Sequence, residues 1–220
     1  MNHRWLTFTL LSLLFSNPPS AQCAASENAP VESVPGDLMV AGAPAGSIVV
    51  RYYDVIGGTA EELRTEIKTK GPVDGSGIPR DAYAGWRLTW HWPKDSAGRP
   101  DFTQTEVRCT GEVTLPRWIP HSDADPSLTA EWHRYLSAMM RHERGHLEHC
   151  FEMRAKLVSA LIEAARGDPA LSAEGARKIT RRFLKEIRRL DSEFDRETDH
   201  GRREGVTLRD AVTPPPGGPQ

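Results

Sequence analysis

The feature that most constrains the fold is one long, uninterrupted helical segment in the second half of the chain. Asp125 followed by Pro126 is typical of a helix start, and Gly-Asp-Pro at residues 167–169 is a stop signal. Between these ends, apolar residues recur at intervals of three and four, as a helix with one buried face requires. They are Leu128, Trp132, Tyr135, Leu136, Met139, Leu147, Cys150, Met153, Leu157 and Leu161. Any fold for this chain must therefore supply a core surface along the whole of this helix.

The same helix carries the motif H-E-x-x-H at residues 142–146. Histidines four apart stand one helical turn above each other, so His142 and His146 can bind a single zinc ion, with Glu143 beside it to take a proton from bound water. Both histidines fall on the apolar stripe, where unpaired polar groups are costly and a metal ion would satisfy them. The alternative is a pair of hydrogen-bonded core histidines. Gly145 within the motif indicates that a ligand or another part of the chain comes close there.

A catalytic zinc site needs a third protein ligand, and the residues directly after the motif do not provide one. The best candidates for this ligand lie at the end of a second predicted helix, at residues 192–201, and this helix returns antiparallel to the first. If that helix ends near Asp199, His200 can turn inward, and we predict it as the third ligand. Asp195 is the alternative ligand, and Asp195 or Asp199 could instead orient His200 as a supporting carboxylate. Without a metal, His200 would only meet the last carbonyls of the helix.

The N-terminus, residues 1–25, is typical of a secretory signal peptide: Arg4 precedes an uncharged apolar stretch and a region of small residues. The apolar stretch is shorter than the roughly 20 residues that cross a bilayer. No later segment is apolar enough to span one. We therefore expect export to the periplasm or the extracellular space, with no stable membrane insertion after cleavage. Cys23 leaves lipid attachment as an alternative, although Gln22 before it fits a lipoprotein signal poorly.

Composition divides the remainder into three parts. Residues 26–46 are rich in Ala, Pro, Gly and Ser and are predicted to be a disordered linker, and residues 213–220 form a Pro/Gly-rich tail. One domain is expected between them, over residues 47–212.

The first half of that domain has the patterns of a β-sheet. Strands are predicted at residues 47–56, 86–92 and 106–115 from their alternation and their β-branched and aromatic residues. Thr59 and Glu62 form a capping box that opens a short helix between the first two strands. The predicted fold class is α+β, in which an antiparallel β-sheet packs on two long antiparallel C-terminal helices with a zincin-like site on the first of them.

Charge and cysteine content limit the partners and the compartment. The net charge of −2 gives no indication of nucleic-acid binding, and the basic residues at 177–189 alternate with apolar ones as on the solvated face of a helix. Cys109 lies on the apolar face of a predicted strand and Cys150 on the helix stripe, so a disulfide is predicted for an exported protein. Two buried free thiols, or Cys150 as a metal ligand, are the alternatives.

The order of motifs resembles the domain of unknown function 922 family, usually described as predicted secreted zinc-dependent proteases. The shared motifs are Y-D-V-I-G-G-T at 53–59, E-L at 62–63, G-P at 71–72, the aromatic strand at 86–92, L-P at 115–116, Trp132, H-E-R-G-H at 142–146 and D-R-E-T-D-H-G at 195–201. The resemblance covers residues 48–205 and implies an exported bacterial protein. Its closing motif singles out Asp195, Thr198, His200 and Gly201. This chain departs from the family pattern at Phe194, where a tyrosine is expected, and more weakly at residues 202–204.

Together these features predict a secreted or periplasmic zinc-dependent metallopeptidase that acts on a peptide or protein substrate. His142, His146 and His200 would bind Zn²⁺, and Glu143 would be the general base for zinc-activated water. Two alternatives stay open. One is a non-catalytic envelope module with a structural metal site, whose tryptophan-rich sheet binds a partner. The other is a zinc amidase that acts on cell-wall peptide.

Overall fold

The computed structural model describes residues 34–74, 77–120 and 124–210. The predicted signal peptide, the first part of the predicted linker and the predicted tail lie outside the described residues. The elements, in chain order, are β1 (Ile48–Val55), α1 (Ala60–Lys70), β2 (Tyr83–His91), β3 (Glu106–Trp118), α2 (Pro126–Gly167) and α3 (Ala173–Thr198). Short 3-10 helices lie at Gly36–Leu38, Phe102–Gln104 and Arg202–Glu204. The predicted α+β class is confirmed.

Within the described residues, the sheet has three strands in the order β1-β3-β2, so the last of them in sequence is the central one. Strand β2 pairs antiparallel with β3, whereas β1 pairs parallel with β3 along its other edge. The sheet is thus mixed, and the predicted antiparallel arrangement holds only for β2 and β3. The reason lies in the connections, because α1 separates β1 from β2 and lets β3 insert between them.

The helix boundaries follow the capping signals of the sequence. The Thr59 hydroxyl accepts a hydrogen bond from the Glu62 backbone N–H at 3.2 Å, and the Glu62 carboxylate accepts one from the Gly58 N–H at 2.8 Å. The Asp125 carboxylate accepts the Ser127 N–H at 2.7 Å, and α2 then begins at its proline. These contacts satisfy N–H groups that have no partner within the helix. The predicted limits of α2 are confirmed.

Helix α2 packs its apolar stripe on β2 and β3. The approach is closest at Gly111, where an added Cβ would lie 2.6 Å from Leu147 Cδ2. A disulfide joins Cys109 of β3 to Cys150 of α2, with the Cα atoms 6.3 Å apart. Because Cys150 follows the H-E-x-x-H motif by one turn, the disulfide ties the motif helix to the central strand.

Part of the predicted linker belongs to the folded domain. Within residues 34–46, Leu38 is fully buried and Val40 is 6% exposed, and the 3-10 helix around Leu38 contacts α2. These apolar residues stand singly in a Pro/Gly-rich stretch and show no periodicity. Their packing could therefore not be predicted from composition. The described part of this stretch packs on the core and is not a disordered linker.

Helix α3 returns antiparallel along α2 and ends in a left-handed turn. Asp199, His200 and Gly201 have φ values of 52°, 51° and 79°. The chain beyond this turn folds back on α2, where the Arg134 guanidinium donates hydrogen bonds to the carbonyls of Gly205 at 2.9 Å and Thr207 at 2.5 Å. In the described ranges, no helix is both long and apolar enough to cross a membrane.

Candidate metal centre

Two histidines of α2 and one aspartate of α3 bring their donor atoms together. His142 and His146 are only 4% and 9% exposed. Asp195 Oδ1 lies 3.4 Å from Nε2 of His142 and 3.2 Å from Nε2 of His146. These three residues form a group that could hold a metal ion.

The spacing of these donor atoms fits a tetrahedral ion. Zinc bonds of about 2.0–2.1 Å place neighbouring ligand atoms roughly 3.4 Å apart in a tetrahedron. The observed nitrogen–oxygen distances of 3.2 and 3.4 Å agree with that value. A direct hydrogen bond between a charged imidazole and a carboxylate would be shorter, at about 2.8 Å. The separation is therefore compatible with an ion held between these side chains.

The other ring nitrogen of each histidine faces a second carboxylate. His142 Nδ1 lies 2.8 Å from Glu204 Oε2, and His146 Nδ1 lies 3.3 Å from Asp191 Oδ1. A carboxylate at Nδ1 holds the proton there and leaves the lone pair of Nε2 directed at the ion. Both rings are thus presented by the protein in the orientation that a metal ligand needs.

Sequence analysis did not assign either of these carboxylates to the site. Asp191 precedes Asp195 by one helical turn, and this spacing is a signal that could have indicated its position. Glu204 lies beyond the helix, in the stretch that departs from the family pattern. Only the left-handed turn at residues 199–201 brings Glu204 back to His142.

Asp191 also links the centre to β2. Its Oδ2 accepts a hydrogen bond from Trp86 Nε1 at 2.7 Å, and its Oδ1 lies 2.7 Å from His149 Nδ1. His146, His149 and Asp191 form a second group that could hold an ion. However, 2.7 Å is a hydrogen-bond distance and is shorter than the roughly 3.4 Å that two ligands of a tetrahedral ion would keep. We therefore describe this second group as a hydrogen-bonded network that joins α2, α3 and β2.

Glu143 is the buried carboxylate of the motif, with only 6% of its surface exposed. Burial raises the pKa of Glu143, although His146, His142 and the backbone of Ala84 in β2 act in the opposite direction. A carboxylate with a raised pKa is a stronger proton acceptor once it is ionised.

The protonation states of His146 and Asp195 depend on the charged groups around them. Burial alone would lower the pKa of His146, but hydrogen bonds with Asp191 and Asp195 outweigh it and raise the pKa to about 10. For Asp195, burial is opposed by hydrogen bonds with His142 and His146, and the pKa falls well below its usual range. Without a metal, protons on the imidazoles therefore balance the carboxylates.

His200, predicted as the third ligand, lies on the outer side of Asp195. Its Nδ1 is 3.4 Å from Asp195 Oδ1, its side chain is 45% exposed, and it is not in either group that could hold an ion. The helix continues to Thr198, which directs Asp195 toward α2 and leaves His200 beyond the helix end. Asp199, predicted as a supporting carboxylate, lies 3.7 Å from Arg202. The third donor that the fold brings to the histidine pair is Asp195, and ligation by His200 stays a prediction.

Phe194 explains the glycine of the motif. Its ring stacks on His142 with the centroids 4.8 Å apart, and an added Cβ at Gly145 would lie 2.7 Å from two of its ring carbons. The close approach predicted at Gly145 is thus made by an aromatic ring, and only glycine leaves room for it.

Asp195 also lines a surface groove at the C-terminal end of α3. The groove has a volume of about 390 Å³ and is lined by Ser192, Asp195, Arg196, Asp199 and His200.

The fold and the centre define an α+β protein with a histidine–aspartate group that could bind a metal. The model of the DUF922 family, described as bacterial protein of unknown function, matches residues 50–201. This match spans most of the chain and includes the histidine pair, Glu143 and Asp195. The chain therefore belongs to the DUF922 family. Neither a curated protein nor a solved structure matches it.

Proposed function

We propose that this protein is a zinc-dependent metallopeptidase that acts outside the cytoplasm. The observation that carries the proposal is the convergence of His142 Nε2 and His146 Nε2 on Asp195 Oδ1, with a buried carboxylate at the next position of the motif. Export is supported by the predicted signal peptide and by the disulfide, since disulfides persist mainly in oxidising compartments.

In this proposal, His142, His146 and Asp195 hold the ion. Both histidines bind through Nε2, and the carboxylates of Glu204 and Asp191 fix their rings from behind. When bound, zinc supplies Lewis acidity for the hydrolysis of an amide bond. Three protein ligands leave one position free, as catalytic zinc sites require.

Glu143 has the role of general base. Burial raises its pKa, so the carboxylate can accept a proton from the attacking water and return it to the leaving amine.

The first prediction tests this role with the purified mature protein. Glu143→Gln should retain zinc, measured by elemental analysis, while cleavage of an unfolded polypeptide falls by a factor of about 100 or more. Glu148→Gln is the matched control, because Glu148 lies on the same helix but its side chain is 45% exposed and pairs with Arg144. The control should keep both zinc and activity.

Other results would change the assignment. A protein that binds zinc but cleaves no peptide would be a binding module with a structural metal. Cleavage confined to cell-wall peptide would identify an amidase. A Glu143→Gln variant with wild-type turnover would remove Glu143 from the role of base.

A further inference from the structure

Strand β2 is an edge strand among the residues that the structure describes, and it runs beside the metal-compatible group. The strand order β1-β3-β2 gives β2 a strand partner on one side only within these residues. Trp86 in this strand donates its indole N–H to Asp191 at 2.7 Å, and Asp191 lies 3.3 Å from His146. The free edge of β2 therefore lies next to the site of the proposed chemistry.

Alternation along the strands identifies which backbone groups face the free edge. The Gly111 N–H in β3 donates to Ser47, which directly precedes β1, and the N–H of Ile119, which directly follows β3, donates to Val55 of β1. Odd-numbered residues of β3 therefore face β1, and even-numbered residues face β2. Glu112 pairs with Gly85, and Thr110 pairs with Arg87. Odd-numbered residues of β2 are thus bound to β3. Even-numbered residues of β2, including Ala84 and Trp86, therefore point their backbone groups outward.

The outward backbone groups at Ala84 and Trp86 are free to bind a ligand. Throughout the part of the chain that the structure describes, the Ala84 carbonyl and the N–H and carbonyl of Trp86 have no hydrogen-bond partner. Both residues are partly exposed. A free N–H and two free carbonyls along an edge strand are what an added strand would pair with.

One side-chain contact holds this edge beside the centre. Asp191 accepts the indole N–H of Trp86 at 2.7 Å. Asp191 also contacts His146, one of the two motif histidines. The edge strand is therefore tied to the centre at Trp86.

We propose that this edge binds the main chain of the substrate as a fourth strand, so the substrate is an extended, unfolded stretch of polypeptide. The inference rests on the proposed function and specifies its substrate class. Trp86 would supply main-chain hydrogen bonds through its N–H and carbonyl, and every second substrate residue would face β2. A helical or tightly folded chain cannot offer such alternating groups, so folded proteins would be poor substrates.

The test uses reduced, carboxymethylated lactalbumin as the unfolded polypeptide, and a synthetic peptide that spans one of its cleavage sites. A series of peptides, each N-methylated at one backbone nitrogen, is assayed with the zinc-loaded enzyme. Methylation at every second residue should lower kcat/KM by about tenfold, the value of one lost hydrogen bond, whereas methylation at the residues between should have little effect. Equal tolerance of methylation at all positions would overturn the proposal.

A second measurement does not depend on turnover. Amide hydrogen exchange of zinc-loaded Glu143→Gln is compared with and without the same unfolded lactalbumin. The Trp86 amide should exchange more slowly when the polypeptide is present. The Val50 amide, on the opposite edge of the sheet, is the control and should not change.

The two measurements separate failure of this inference from failure of the proposed function. If peptides are cleaved but the Trp86 amide is not protected, the edge is not the binding site and the peptidase proposal stands. If nothing is cleaved but the Trp86 amide is protected, the peptidase proposal fails and strand addition is supported. Absence of protection overturns strand addition in either case.

Discussion

The two motif histidines are oriented by contacts at both ring nitrogens. Each Nδ1 faces a carboxylate of α3 or of the turn beyond it, and each Nε2 faces Asp195. A side chain held at two points loses little further freedom when it binds an ion, which favours affinity. A zinc ion bound by both histidines would need a third protein ligand, and Asp195 and His200 are the two candidates.

The second prediction separates Asp195 from His200 as third ligand. Asp195→Ala should weaken zinc binding by more than about 100-fold, whereas His200→Ala should weaken it by no more than about tenfold, as for a supporting residue. Competition with a chromophoric chelator measures both affinities. A larger loss for His200→Ala than for Asp195→Ala would restore His200 as the ligand.

The third prediction concerns pH and the metal-free protein. The pKa of His146 in the folded state, about 10, lies above the ordinary value of 6.5, so protonation of His146 favours the folded state. This stabilisation is complete below pH 6.5 and is lost as the pH rises toward 10. Urea unfolding of chelator-treated protein should therefore show a free energy of unfolding lower by more than about 1 kcal/mol at pH 9.5 than at pH 6.

Asp195→Asn is the control for this effect, because it removes a carboxylate that raises the pKa of His146. The pH dependence should become weaker in this variant. A metal-free wild-type protein that is equally stable at both pH values would contradict the assigned pairing.

At the scale of elements, the centre depends on how closely α3 approaches α2. Phe194 of α3 occupies the space above Gly145 and stacks on His142. At the far side of the same histidine, an added Cβ at Gly201 would lie 3.0 Å from His142 Cγ. Two glycines thus let the neighbouring segments pack closely around His142.

The fourth prediction is that Gly145→Ala destabilises the protein although alanine is the better helix former. The helix gains about 1 kcal/mol, but the new methyl group overlaps a rigid ring, and overpacking costs about 1–3 kcal/mol. We expect a net loss of up to about 2 kcal/mol in urea unfolding, together with weaker zinc binding because His142 is displaced.

Gly167→Ala is the matched control, since it lies in the same helix and an added Cβ there meets nothing within 4 Å. It should leave stability and zinc binding nearly unchanged. The replacement Phe194→Leu should partly rescue Gly145→Ala. A Gly145→Ala protein as stable as the wild type would show that α3 can move away at no cost.

At the scale of the whole molecule, one covalent bond fixes the motif helix on the sheet. The disulfide closes a loop with a sequence separation of 41 and joins the central strand to α2. A loop of this size corresponds to about 4 kcal/mol of stabilisation in the chain-entropy estimate. The bond is buried at both cysteines.

The fifth prediction is that replacing both cysteines by alanine lowers the free energy of unfolding by about 2–4 kcal/mol. Urea unfolding followed by circular dichroism measures the change, and wild-type protein in a reducing agent should behave similarly. An unchanged unfolding midpoint would show that the bond contributes little to the stability of the domain.

Local signals predicted the elements that carry the centre. The capping residues before Ala60 and Pro126 and the glycine stops predicted α1 and α2, because each signal acts within one turn of the helix end. The four-residue spacing of His142 and His146 likewise followed from helix geometry alone.

Contacts between residues that are distant in sequence could not be predicted from local patterns and are seen only in the folded structure. The parallel pairing of β1 with β3, the burial of Leu38, and the return of Glu204 to His142 join residues that are far apart in sequence. Periodicity and capping report on neighbours within a turn or two, so they carry no information about which distant segment fills a space. Local patterns were enough to predict a helix with two histidines and a carboxylate on its buried side. The packing of α3 against that helix places Asp195 beside the pair, because the rotation and depth of α3 depend on contacts such as that of the Phe194 ring with Gly145, which form only in the folded protein.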